Sequence, residues 1–218
     1  MEENKFNQII KSENFALASD LSEVVLDSFI DNEILKDIPM IGTISKLLSL
    51  GTTINDRLFT KKLLHFLREL ENIDQNLILK EIQYIDDSKK YNQKVGEKIL
   101  EVINRVDSDD KPKVIGKLFR NFLLKKITYF EFLRLSHIIE NVFILDLLIL
   151  SKSKEHITLK NNKITYLPLN ENSKELFNYN IVDNITPNDY VDPKDITVFQ
   201  SSVKLTTLGL NILNYGLK

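Results

Sequence analysis

Through most of the first 150 residues, apolar side chains return at intervals of three and four, and only short polar turns interrupt them. That period puts them on one stripe of an α-helix, and successive helices with one oily stripe each must bury those stripes against one another. The pattern predicts a helix over 15–35, carrying Leu17, Leu21, Val24, Val25 and Phe29, ended by Asp37 and Pro39. A second begins at Pro39, and Asn55 or Asp56 is expected to cap a third over 57–71 with Leu63, Phe66, Leu67 and Leu70 inward. Asp74 caps a helix to Ile85, Ser88 opens another that runs to Val106 through Tyr91, Val95, Ile99 and Ile103, and Pro112 lies in the first turn of one to Leu124. Thr128 with Glu131 fits a capping box, with Ile127 and Phe132 as its hydrophobic staple, and starts a helix to Leu150. The later half of that helix is apolar on nearly every side and is expected at the centre of a bundle. Short connections make such helices antiparallel neighbours, so residues 1–151 read as one all-helical domain.

One helix of this set has an unusual composition. Ile38 to Ile54, IPMIGTISKLLSLGTTI, is seventeen residues with a single charge, Lys46, and two of the chain's six glycines. As a helix it would span about 25 Å, short of the roughly 30 Å of a bilayer's hydrocarbon core. Met40, Ile44, Leu47, Gly51 and Ile54 would share one face, flanked by Ile41 and Leu48, while Gly42, Ser45 and Ser49 lie opposite and would let another backbone approach closely. The segment reads as an amphipathic helix that binds a partner or, on activation, a membrane. Arg57, Lys61, Lys62 and Arg68 follow it on the polar side of the next helix, a basic cluster that an anionic membrane surface would attract. Ile41, Gly42, Ser45, Leu47, Leu48, Ser49, Arg57, Lys61 and Lys62 are therefore the candidate partner- or membrane-binding residues.

The grammar changes at Ser151. Residues 156–166 alternate Ile157 and Leu159 against Ile164 and Tyr166 about an Asn161-Asn162 turn, a β-hairpin pattern. A short helix is expected over 171–178, a turn-rich loop over 183–195, a second hairpin from 196–199 and 203–205, and a terminal helix from Thr206 to Tyr215 closed by Gly216. The run Glu175 to Val182, then a strand pair, then Leu205-Thr206-Thr207-Leu208-Gly209-Leu210-Asn211-Ile212, resembles a winged-helix domain. The resemblance implies a small α+β domain over 152–218 and a DNA-binding regulator as the alternative function, with Lys160, Lys163 and Lys204 as contacts. Local charge argues against that alternative. Residues 152–218 hold eight lysines, no arginine and seven acids, whereas base readout leans on arginine forks and affinity on clustered phosphate contacts.

The helical part, with IPMIGTISKLLSLG, then DRLFTKKLLHFLREL and later GKLFRNFLLKKITYFEFLRL, is similar to helical bacterial proteins of obscure function, some of them among abortive-infection or defence proteins. That resemblance implies a phage-defence setting and no active site. Heavy use of Lys, Asn and Ile fits a bacterial or phage source with an AT-rich genome.

Composition narrows the chemistry further. There is no cysteine, hence no disulfide, no thiolate nucleophile and no cysteine-ligated zinc. The acidic start MEENK lacks the pattern of a secretory leader, so a cytoplasmic location is expected, with peripheral membrane attachment on activation. A formal net charge of −2 creates no overall attraction to nucleic acid or anionic lipid. His65 with Glu69 and His137 with Glu140 have spacings that could each supply two metal ligands, but a site needs three or four. Asp107-Ser108-Asp109-Asp110 begins like a calcium loop, yet Pro112 and Leu118 stand where that loop requires glycine and glutamate. No phosphate loop, nucleophile elbow or zinc-protease motif is present. The expectation is a non-enzymatic interaction or effector protein without metal or cofactor, whose partner is a protein or a second copy of itself.

Overall fold

The computed structural model describes residues 4–18, 38–51, 53–88, 91, 94–157, 163–168, 174–186 and 202–218. The chain is mainly helical with a small four-stranded antiparallel sheet. It divides into two compact units, Met1–Ser136 and His137–Lys218. The division falls inside a helix, upstream of the change in sequence pattern at Ser151.

The first unit contains α1 (Lys5–Lys11), a 3-10 turn at Phe15–Ala18, α2 (Pro39–Leu48), α3 (Ile54–Arg68), α4 (Gln75–Asp86), α5 (Val95–Arg105), α6 (Asp110–Leu123) and the start of α7 (Tyr129–Asn141). α1 precedes the first helix expected from the sequence, although Phe6, Ile9 and Ile10 keep the three-four spacing. It is nucleated by Asn4, whose side chain accepts from the Phe6 amide at 2.8 Å, and it buries Phe6, Ile9 and Ile10. The helix expected over 15–35 is a 3-10 turn at its start, and its remainder lies outside the described residues.

α3 is the hub, packing against α6, α5 and α2. Gly116 allows the α3–α6 approach, since a Cβ there would stand 2.8 Å from the Phe66 carbonyl oxygen and from Glu69 Cβ. A run of rings forms the centre: Phe6 to Phe66 at 6.1 Å, Phe66 to Phe119 at 5.7 Å, then Phe119 to Phe132 at 5.3 Å. Gly96 has the close neighbour that a glycine inside a helix calls for, because α1 presses on it with Asn4 Oδ1 and Phe6 Cβ. The helix expected from Ser88 starts only at Val95, where the Asp86 carboxylate accepts the Val95 amide at 2.8 Å.

Two helix starts carry reciprocal capping boxes. α7 has the expected box: the Thr128 hydroxyl accepts from the Glu131 amide, and Glu131 Oε2 accepts from the Thr128 amide at 2.7 Å. α3 is capped by Thr53 with Asp56 as its reciprocal partner, so Asp56 is the third helical residue and Asn55 lies inside the helix.

The second unit holds the end of α7, α8 (Ile144–Ile149), a 3-10 turn at Leu150–Lys152, β1 (Lys154–Ile157), β2 (Lys163–Pro168), α9 (Lys174–Asn178), β3 (Val182–Asn184), β4 (Ser202–Leu205) and α10 (Thr207–Ile212), which continues as a π-helical turn over Leu213–Leu217. The helix expected to run unbroken from 128 to 150 stops at Asn141. Phe143 is extended (φ −61°, ψ 130°) and its amide donates to Glu175 Oε2 at 2.8 Å, so the helical ladder cannot pass through it. The apolar run is not a bundle centre throughout: Phe143 and Leu145 are more than half exposed.

β1 and β2 form a hairpin, but in another register than expected: Ile157 stands opposite Lys163 and Ile164 opposite His156, where an Asn161-Asn162 turn would have set Ile157 against Tyr166. Its turn, 158–162, lies outside the described residues, as does the strand expected over 196–199. The partners of β4 are β2 on one side and β3 on the other, in the order β1-β2-β4-β3, so the expected 196–199 with 203–205 pairing is replaced at Val203 and Lys204. Thr206 caps α10 through the Gly209 amide, and Gly209 sits so close over the Ile181 carbonyl that a Cβ would collide with it. Gly216 does not close the terminal helix; it lies buried inside the π-helical turn.

Candidate functional site

The helix predicted over 38–54 is shorter than its composition allows. α2 ends at Leu48 because Ser49 adopts the left-handed conformation (φ 56°), and the Leu50 amide turns back to the Ser45 carbonyl at 2.9 Å. Gly51 and Ile54 therefore leave the face shared by Met40 and Ile44, and Ile54 becomes an exposed first residue of α3. Within α2 the two sides have opposite fates. Met40, Ile41 and Ile44 are buried, so Ile41 is core and is not displayed to a partner. Gly42 and Ser49 are exposed, and Ser45, Leu47 and Leu48 are half-buried. A Cβ at Gly42 would meet nothing within 4 Å. The small-residue edge is open and the apolar edge is occupied.

The basic cluster beside it is used internally. Lys61 is 5% exposed and its ammonium pairs with Asp109 at 2.7 Å. Lys62 donates to the Val106 carbonyl at 2.5 Å, and Arg57 and Arg68 are half-buried. Lysine stems reach along apolar surface to bring their charges to a fixed acceptor. Both acceptors belong to the loop that joins α5 to α6, so these two lysines staple that loop to α3 and do not form a free basic face.

The same loop settles the fate of the calcium-like run. Asp107 pairs with Lys111 at 2.7 Å, Asp109 with Lys61, and Asp110 with Lys113 at 3.1 Å. The Lys111 ammonium holds the Asp107 carboxyl below the usual carboxylate range. Each carboxylate faces a lysine; Asp109 makes no side-chain cap of α6, and the Ser108 hydroxyl accepts the Lys111 amide at 3.3 Å instead. His65, between these pairs, is 0% exposed with neither ring nitrogen hydrogen-bonded among the described residues. Burial first, and then the Lys113 charge, push its pKa down to about 4. Glu69, its supposed co-ligand, is raised by burial. His137 sits by Asn141, whose amide donates to the His137 carbonyl at 2.7 Å. Among the described residues no three His, Asp or Glu side chains converge as a metal site would require.

The tail lysines do not assemble either. Lys160 lies outside the described residues, Lys163 is exposed 3.6 Å from Glu155, and Lys204 is half-buried in β4, opposite Tyr166 and Asp183.

Sequence reasoning missed a cleft in the first unit, between α4 and the turn that joins α6 to α7. Its volume is about 370 Å³ and its walls include Tyr84, Tyr91, Phe122, Ile127 and Tyr129. The Tyr91 and Tyr129 rings meet edge to face at 5.0 Å, and Phe122 lies 5.5 Å from Tyr129. At the rim the Lys125 ammonium pairs with Glu81 and stands 5.9 Å and 5.8 Å from the Tyr84 and Phe122 ring centres. Burial next to Asp86 pushes the Tyr129 phenol up to about 12, so it stays protonated. The only linear clue was Lys125-Lys126 read as a helix end; the aromatic partners come from three helices and from the α4–α5 connection and share no motif.

No family model, no curated protein and no solved structure matches the chain.

Proposed function

We propose that this chain is a non-enzymatic interaction protein, acting in bacterial phage defence, that binds a protein partner or a second copy of itself through the exposed edge of α2. One observation carries the reading: α2 spends its apolar residues Met40, Ile41 and Ile44 on the protein's own core while Gly42 and Ser49 remain open. A glycine on an exposed helical face costs about 1 kcal/mol relative to alanine, and close backbone approach by another element is the usual return for that cost. The membrane form of the hypothesis has less support, since Met40, Ile41 and Ile44 would first have to leave the core. The winged-helix-like form of the tail, with its DNA-binding role, has less support again, because Lys163 and Lys204 do not converge on one surface.

Gly42→Arg tests the reading, because it separates folding from binding. Arginine is the better helix former by nearly 1 kcal/mol and has open space, so the denaturation midpoint should stay level or rise. A photocrosslinker at Ser45 should capture a partner or a second copy in cells, and Gly42→Arg should abolish that product. Unchanged capture by a folded Gly42→Arg protein would overturn the proposal.

A further inference from the structure

The cleft beside Lys125 contains a cation in a place built to hold one. Glu81 is a carboxylate on α4 whose side chain is 10% exposed, and a buried carboxylate needs a cation beside it. The Tyr84 and Phe122 rings stand within about 6 Å of that cation, the range over which ring faces attract positive charge. Lys125 fills this position at a backbone cost. It ends α6 in the left-handed conformation (φ 61°), with its amide bonded to the Phe122 carbonyl and that of Lys126 to Asn121, both at 2.9 Å. The other positive-φ residues among the described ones are Ser49, Asn72 and Asn180, small side chains that tolerate that conformation better, whereas a lysine there is strained by about 1 kcal/mol or more. The Lys125 side chain is 59% exposed, so swinging into water restores its hydration and frees the carboxylate and both rings. The adjoining volume of about 370 Å³ falls in the size range of small-ligand sites, and Tyr91, Ile127 and Tyr129 give it apolar walls. Lys125 and Lys126 line the cleft with Glu131, whose carboxylate is held by the Thr128 cap, so a bound ammonium gains Glu81 as its partner only once Lys125 has swung away from it.

We propose that this cleft binds a small organic ammonium with an apolar body, that Glu81 is its counter-ion and Tyr84 and Phe122 its π walls, and that Lys125 is the chain's own cation, which the ligand displaces. The proposal stands apart from the α2 interface, since it uses α4 and the α6–α7 turn.

Titration with phenethylammonium and its neutral analogue 2-phenylethanol tests it. The chain has no tryptophan and seven tyrosines, so its emission comes from tyrosine, and Tyr84, Tyr91 and Tyr129 border the cleft. The amine should bind saturably, about tenfold or more tighter than the alcohol, as the loss of a cation–π and ion-pair contribution of some 1.4 kcal/mol requires. Lys125→Gly removes the competing cation and relieves the left-handed residue, so it should raise amine affinity by about tenfold or more. Glu81→Gln added to it should abolish the preference for the amine. Equal binding of amine and alcohol, or no saturable response from either the natural chain or Lys125→Gly, would overturn the proposal. Should Lys125→Gly not fold, the comparison of amine with alcohol on the natural chain decides alone.

Discussion

His65 shows most clearly how a residue's surroundings set its chemistry. It lies on α3 among Lys61, Arg68, Lys113 and Asp109, and it is buried as a neutral imidazole. The unfolded chain takes up a proton on this residue near pH 6.5, whereas the folded chain resists until about pH 4. Its contribution to stability is therefore complete above pH 6.5 and is lost as the pH falls from 6.5 to 4, by as much as about 3 kcal/mol. Replacing it by leucine removes both the titration and two buried nitrogens without partners. We expect His65→Leu to be less sensitive to pH than the natural chain between 6.5 and 4, read as the difference between their urea midpoints; parallel pH profiles would contradict this. In the sequence, His65 was visible only as one half of a possible ligand pair with Glu69. Its burial depends on α6 lying across α3 at Gly116, a contact between positions about fifty apart.

Among the elements, some starts are written locally, while two stops are not. The Thr128–Glu131 box is contained in four residues, and the structure forms it. Thr128→Ala should cost about 1 kcal/mol, seen as a lower denaturant midpoint at unchanged slope. A change below a few tenths would show that α7 is held by packing alone. Thr53 and Asp56 carry the same signature, but Asn55 and Asp56 drew the expected cap two or three residues late and the helix start three residues late. The stops were opaque for a different reason. Ser49 closes α2 and Phe143 interrupts the α7–α8 run, yet neither is a glycine or proline. At Phe143 the helix yields to Glu175, a carboxylate thirty-two residues downstream that takes its amide. Local propensity cannot announce a competitor that distant.

Across the whole molecule, charge and apolar surface predict what the chain avoids. The formal net charge is −2, Lys61 and Lys62 are held by the α5–α6 loop, and among the described residues no helix is long and apolar enough to cross a membrane. In flotation with phosphatidylserine-containing vesicles, and in retardation assays with duplex DNA at low salt, we expect the purified chain to remain in the unbound fraction. Low salt makes the test severe, because phosphate contacts are strongest there. Strong retention on either would redirect the search to surfaces other than α2.

What the sequence determined by itself was the predominance of helix, the presence of a hairpin near 156–166 though not its register, and the α7 cap, since all of these follow from interactions among residues close along the chain. The tertiary structure alone decided which side chains are exposed and what they meet. It turned the apolar side of α2 inward and left Gly42 open, bound the basic cluster to an acidic loop forty-odd residues away, and gathered Tyr84, Phe122 and Tyr129 from three helices around Glu81 and Lys125. A side chain's exposure and its partner across space are properties of packing, and a one-dimensional period records only which face of a helix is oily, never what that face will meet.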